Sequence, residues 1–474
     1  MSVNWRLQSL RGKVVAAHEF ERRNRIAPSY LGTPAMVKNF TIALALMLGC
    51  LPLSLEAQPS SKPSALDRPR SAVPGGQTSN ITAASPARTY PDVALQPPPI
   101  NTSPGVEYAS WTRMFQGIPG IERAPNGRLW AAWTAGGAGE GPWNYVVLVT
   151  SADDGKNWSE PRLVIDPPGN VVAWQPVLWL DPQARLWLFW AGAYGAWDGR
   201  GGVWAIVSNN PDSETPEWSE PRRLADGVAM NKPTILSTGA WLLPIAIWNY
   251  GCDLAELNTR HRLGLTPAVV KILCHDVGDP EGSLRVYASA NNGETWNLSG
   301  QTRVQDMNVG EPMLVERRDR SVWMLVRTFY GIGQSVSRDG GKTWSENGPT
   351  GIRNAMSRFF IRRLKSGRLL IVRHNPPDIR TRSHLTAYLS DDDGKTWFGG
   401  LLLDERSGTG SSDQGVSYPD GVEAPSGKIY VIYDHGRSTE REILMATFTE
   451  DDVKQARCVT DRCQLKMVVN KAGE

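Results

Sequence analysis

SADDGKNW, residues 151–158, decides the fold, because the chain writes it again as SANNGETW at 289–296, SRDGGKTW at 337–344 and SDDDGKTW at 390–397. A degenerate copy runs from Ser208 to Trp218. The shared pattern has a local logic. Ser and Asp side chains bond nearby turn amides, Gly accepts a left-handed backbone, and Trp packs the hairpin onto the next unit. The Asp residues are read as turn formers, since a catalytic site does not recur fourfold along a chain.

Each copy follows a short apolar strand, and another strand precedes that one. The first strands of the pairs are read at 128–133, 185–190, 241–248, 322–327, 368–373 and 428–433. Their partners are read at 145–150, 203–207, 284–288, 334–336, 385–389 and 442–448. Period-two alternation with turn residues between makes each pair a hairpin. Recurrence at this spacing is the pattern of propeller blades. Six pairs predict an all-β, six-bladed β-propeller over 106–456, with an insertion near 249–283 and a C-terminal tail at 457–474. A β-sandwich is the competing reading, and the constant phase of the turn motif argues against it.

The composition agrees. The 474 residues include 46 Gly, 34 Pro and 19 Trp, which suits many short strands. Net charge is +3 from 51 basic and 48 acidic residues, too balanced for a protein that lives on nucleic-acid phosphates. An apolar run at 40–55 follows Lys38 and ends before a polar stretch, so 1–57 reads as an export region, with Met36 a candidate start. It is short for a membrane span and holds Pro52, so no stable span is expected. The expected location is periplasmic or secreted. Residues 58–105 are rich in Pro, Ser, Ala and Thr and read as a linker. Export permits disulfides, Cys252 with Cys274 and Cys458 with Cys463 being the candidates. No nucleotide loop or zinc motif is present, and no cofactor or metal is expected.

The repeated turns resemble the Asp boxes of the sialidase (neuraminidase) superfamily, and the resemblance spans about 110–450, with four good copies. It implies a six-bladed propeller and a glycoside hydrolase of exo-α-sialidase type. Sialidases hold the substrate carboxylate with an arginine triad and use a Tyr nucleophile paired with Glu, plus an Asp acid/base. The chemistry is direct. A carboxylate on the anomeric carbon would repel a carboxylate nucleophile, and a neutral tyrosine avoids this. Gly310-Glu311-Pro312 before the strand ending at Arg327 resembles the segment of the catalytic Glu and second Arg. The segment around Arg382 resembles that of the third, although Arg380 stands beside it. Ser417-Tyr418-Pro419-Asp420 resembles the nucleophile segment.

The chain also departs from the pattern. Gly117 of Phe115-Gln116-Gly117-Ile118-Pro119 stands where the first Arg belongs, and Arg113 is out of register. The loop expected to carry the acid Asp holds only Glu140 as a carboxylate, so Glu140 is the substitute acid, with Asp198 next. Trp143 and Asn144 are candidates for a sugar subsite, Lys232 for a replacement cation, and His374 for a base or sugar ligand. A two-arginine clamp predicts weak action on simple sialosides and better action on another acidic glycan. The expected partner is an acidic sugar or glycan. Two alternatives stand beside the hydrolase: a propeller lyase on a uronate, needing a base such as His374 or Tyr418, and a non-catalytic carbohydrate-binding propeller.

Overall fold

The computed structural model describes residues 93–141, 143–194, 201–248, 264, 266, 279, 282–376, 378–408 and 414–473. They form six antiparallel sheets that follow one another in chain order, as the repeated pairs predict. The expected pairs are the second and third strands of each blade. In blade 1 they are Leu129–Gly136 and Asn144–Ser151, and in blade 6 Ile429–His435 and Glu442–Phe448. Every residue of the blade 1 pair is buried. Neighbouring blades cover both faces, which is why these strands read as apolar runs.

The first strand of each blade lies innermost: Phe115–Arg123, Val171–Leu180, Thr234–Ile235, Met307–Glu316, Phe360–Arg363 and Val416–Glu423. The ring closes without strand exchange, because blade 1 and blade 6 are each built from contiguous sequence. Hydrogen bonds seal the join: the Gln116 amide to the Arg437 carbonyl at 3.0 Å, and the Ile118 amide to Asp434 Oδ2 at 2.6 Å. Antiparallel pairing fixes the ends. Inner strands start, and second-to-third loops emerge, at one end of the channel; the repeated turns, between third and fourth strands, lie at the other.

Those turns bond as their sequence implies. Ser151 Oγ donates to Asp153 Oδ1 at 2.8 Å and accepts from the Gly155 amide at 3.0 Å, and Asp153 accepts from the Asn157 amide at 2.9 Å. These bonds hold the exposed Asp153 carboxyl down at about 2. The turns lock onto the preceding blade, not the following one. Gly293, at φ +79°, lies against Trp187 and Trp241, so a Cβ there would approach Trp187 to 2.7 Å. Trp296 meets Trp187 edge-on at 6.4 Å between centroids.

Two boundaries change. Gln464–Lys471, within the expected tail, is the outer strand of blade 6, because Glu442–Phe448 would otherwise leave an unpaired edge. Ile100–Asn101, within the expected linker, adds a fifth strand to blade 1. Cys458 and Cys463 form a disulfide beside that last strand of blade 6. The export region, Cys252, Cys274 and Asp198 lie outside the described residues. Among the described residues no helix is long and apolar enough to cross a membrane.

Candidate functional site

Four inner strands carry the same irregularity. Ile118, Gln175, Glu311 and Tyr418 each precede a proline, and each has a positive φ, between 50° and 61°. At each one the register with the second strand slips. A bulky residue before proline avoids this region, so these are strained bulges. The bulge turns a side chain out of the sheet's alternation and toward the channel mouth. Two of the four are Glu311 and Tyr418.

The structure brings the expected quartet together. Tyr418 Oη donates to Glu311 Oε1 at 2.7 Å. Arg327, at the end of the second strand of blade 4, donates from Nη1 to Glu311 Oε1 at 2.6 Å and to Tyr418 Oη at 2.9 Å. The Arg382 guanidinium, from the second-to-third loop of blade 5, lies 5.5 Å from the Tyr418 ring centroid. All four side chains are buried. Burial, with Glu311 adding to it, raises the Tyr418 pKa, and the surrounding arginines only partly offset this. The resting phenol is therefore neutral. Arg380, two residues before Arg382, is the solvated one of the two and binds Asp378 at the surface.

The arginines differ in what balances them. Burial works against the Arg327 charge, but Glu311 and Tyr418 outweigh it and raise its pKa. Among the described residues Arg382 has no such carboxylate. Its Nη2 donates to the Met356 carbonyl at 3.2 Å, its Nη1 is buried without a partner, and burial lowers its pKa. A buried guanidinium without an anion is costly unless something else supplies one.

Two further arginines escaped the sequence reading. Arg358, fully buried, donates to the carbonyls of Met230, Pro119 and Tyr418 at 2.8, 2.8 and 3.0 Å, joining blades 1, 3 and 6 beneath the tyrosine. Its signal was position: Ser357-Arg358-Phe359 occupies in blade 5 the place of the proline bulges elsewhere. Arg437 lies in the second-to-third loop of blade 6, the same place in its blade as Arg382 in blade 5. Its guanidinium stacks 4.2 Å from the Tyr418 ring centroid. Its stem runs across Gly117, where a Cβ would meet Arg437 Cγ and Cδ at 2.8 Å. The volume left open at Gly117 is thus filled from the other side of the ring closure, and three guanidiniums, Arg327, Arg382 and Arg437, stand around the Tyr418 side chain.

Glu140 reaches this cluster: its Oε1 accepts from Arg437 Nη1 at 2.9 Å. Other expected residues do not join it. Lys232 precedes Pro233 but has no positive φ, and its ammonium turns sideways. It donates to the carbonyls of Ile121 and Leu178 and to Glu122 Oε2 at 3.0 Å, and lies 3.3 Å from Asp420 Oδ2. That cation is neutralised where it stands. It lines a cavity of about 250 Å³ with Glu316, Arg362 and Asp420, near the C-terminal ends of the inner strands and away from Tyr418. His374 is sealed in the interior, with Nε2 2.7 Å from the Val416 carbonyl. Burial, then nearby arginines, pulls its pKa down to about 3, so it is a neutral structural group. Asn144 braces its own loop through Gly141 and Gly139 instead of facing a sugar. Trp143 is exposed and packs against Gly137 of the same loop.

The family model of the BNR repeat-like domain matches residues 127–431. No curated protein matches the chain. Among solved structures, a Dyadobacter fermentans protein of unknown function is similar at 18% identity and TM-score 0.51, over 70% of this chain and 94% of that one. A Hadza microbial sialidase is similar at 17% identity and TM-score 0.53, over 72% of this chain and 66% of that one. A leech intramolecular trans-sialidase, solved with 2,7-anhydro-Neu5Ac, is similar at 14% identity and TM-score 0.51, over 76% and 71% of the two chains. At these identities the likeness establishes the fold alone.

Proposed function

The chain belongs to the BNR repeat-like domain family, and from its site we propose an exported glycoside hydrolase of sialidase type that acts on an acidic sugar. One arrangement carries this reading: the Tyr418 hydroxyl donates to Glu311 at 2.7 Å beside a buried arginine, Arg382, that has no carboxylate partner among the described residues. The pair supplies a nucleophile with its base, and the arginine asks for an anion.

In the proposed reaction the Tyr418 oxygen attacks the anomeric carbon while its proton passes to Glu311. Glu140 protonates the departing glycosidic oxygen, so the bond breaks without a free alkoxide. Water then attacks the tyrosyl-linked sugar, giving its proton to the ionised Glu140, and Glu311 returns the proton to Tyr418. A neutral resting tyrosine suits an anomeric centre next to a carboxylate, and Arg327 stabilises negative charge developing on the phenol oxygen. Arg382 and Arg437 flank the tyrosine ring and suit the substrate carboxylate. The Cys458–Cys463 disulfide supports export, since such bonds persist in oxidising compartments.

The lyase reading loses one of its two candidate bases, because His374 is sealed from the channel. A purely binding propeller gives no reason to pair the Tyr418 hydroxyl with Glu311. The test is a screen on sialosides, uronic-acid polymers and rhamnosyl-uronates, read by product mass. Hydrolysis of an acidic glycoside is the expected result. An unsaturated uronate product would move the assignment to the lyase, and release of only neutral sugars from neutral glycans would remove the acidic-sugar reading.

A further inference from the structure

Arg437 is held between two carboxylates of unequal freedom. Asp434 Oδ2 accepts from Arg437 Nε at 3.1 Å, and Asp434 is wholly buried. It is fixed again by the Ile118 amide at 2.6 Å and by the Ser417 hydroxyl at 2.5 Å. Arg437 Nη2 donates to Ser417 Oγ at 3.2 Å. Glu140 takes Nη1, from the glycine-rich loop Gly136-Gly-Ala-Gly-Glu-Gly141, and its side chain is 23% exposed. Of the two carboxylates, only Glu140 can leave.

The place it would leave is the place an anion would take. Arg382 and Arg437 both stand over the Tyr418 ring, at 5.5 and 4.2 Å. Arg382 Nη1 is buried and unpartnered, so it marks one half of an anion seat. A carboxylate bridging the two guanidiniums competes with Glu140 for Arg437. We propose that an anionic sugar displaces Glu140 from Arg437, and that the displaced Glu140 takes up a proton and becomes the acid of the reaction. This inference rests on the acidic-sugar reading and adds to it a positioning role for Arg437.

The physical chemistry runs in one direction. A substrate carboxylate seated on Arg437 would repel an ionised Glu140 beside it, so the bound anion favours the protonated acid. The proton comes from the medium, and no other bond changes. Among the described residues, the charged groups around the pair include Asp434 behind Arg437, and Arg382, Arg327, Glu311 and Tyr418 across the ring; Asp434, Arg327 and Glu311 are already in direct pairs. A neutral sugar leaves Glu140 held on Arg437, so it lacks a freed acid as well as a binding contact. Selectivity for acidic sugars then appears in kcat as well as in KM.

Proton linkage tests this. Free glucuronic acid and free N-acetylneuraminic acid are titrated into the full chain by calorimetry at pH 5.5, in two buffers of different ionisation enthalpy, with the methyl ester of each acid as the neutral control. Expected are proton uptake with at least one acid and none with the esters. Glu140→Gln should abolish the uptake and bind the acid roughly threefold to thirtyfold more tightly, its competitor being gone. Arg437→Gln should abolish the uptake and weaken binding. Acid binding without uptake in the unaltered protein overturns the displacement and leaves the acidic-sugar reading standing. Uptake that survives Glu140→Gln also overturns it. Binding of the esters with rejection of both acids overturns the reading beneath it as well.

Discussion

Gly117→Ala is the smallest change that tests how the cluster is built. Gly117 has no positive φ, so alanine brings no backbone strain. Its Cβ, however, would stand 2.8 Å from Arg437 Cγ and Cδ and 3.0 Å from Nε. Ordinary contact begins near 3.4 Å, so the arginine stem must move by more than half an ångström. Arg437 holds Asp434 at 3.1 Å, Ser417 at 3.2 Å and Glu140 at 2.9 Å, and a shift of that size lengthens all three. Overpacking of this kind costs about 1–3 kcal/mol of stability. One charge-assisted contact to a substrate anion is worth about 1.5–3 kcal/mol, so kcat/KM for an acidic substrate should also fall roughly tenfold to a hundredfold. The assay is a double-mutant cycle by urea unfolding. Arg437→Ala alone should cost about 3–5 kcal/mol, because it leaves Asp434 buried and unpaired. In the double variant the alanine at 117 meets nothing, so Gly117→Ala should add little to Arg437→Ala. Strict additivity of the two costs would refute the contact, and with it the replacement of the missing arginine by Arg437.

Three further outcomes are expected. Tyr418→Phe should abolish turnover while leaving acid binding within about threefold, since it removes a hydrogen bond worth about 0.5–1.5 kcal/mol but keeps the ring under Arg437 and Arg382; calorimetry beside a rate assay checks this, and equal loss of both would mark a structural tyrosine. Glu140→Gln should slow substrates with poor leaving groups far more than activated aryl glycosides, and equal rates on every substrate would move the acid elsewhere, with Asp198 next. His374 should make the protein acid-sensitive: the unfolded chain binds a proton at 6.5 and the folded chain only near 3, so stability is full above pH 6.5 and falls as pH drops through that window. The loss is about 1.4 kcal/mol per pH unit, or about 2 kcal/mol at pH 5, and His374→Gln should remove this slope in urea midpoints taken at pH 7.5 and 5.0.

What the sequence made legible was whatever local chemistry settles. The six strand pairs gave the blade count, and the four turn motifs fixed its phase, because Ser, Asp and Gly make their bonds within five residues of one another. Glu311, Arg327, Arg382 and Tyr418 were readable because their neighbours in the chain mark them. The prolines carry a further local signal. Ile118, Gln175, Glu311 and Tyr418 all precede proline in an inner strand, and this recurrence by itself marks the four bulges at the channel mouth. Lys232 and His374 were misread because a buried ion's role is set by its partners, and those partners come from other blades. Glu122 and Asp420 neutralise Lys232, and the Val416 carbonyl engages His374.

Gly117 and Arg437 show why even residue-by-residue resemblance fails at one position and holds at others. Arg437 sets a guanidinium over Tyr418, and the space it crosses can be reached from either side of the join between blades 1 and 6. Blade 1 gives up its side chain at Gly117, and blade 6 sends Arg437 through the volume that is left. The two residues are far apart in sequence and adjacent in space, so neither alone signals the exchange. The same geometry explains Glu140. With the arginine delivered from blade 6, its Nη1 faces the blade 1 loop, and a glutamate there is long enough to pair with it at 2.9 Å. On the proposed reading the loss of the first arginine and the change of the acid are therefore coupled departures: moving the cation to Arg437 places its outer edge beside the loop that carries the Glu140 carboxylate.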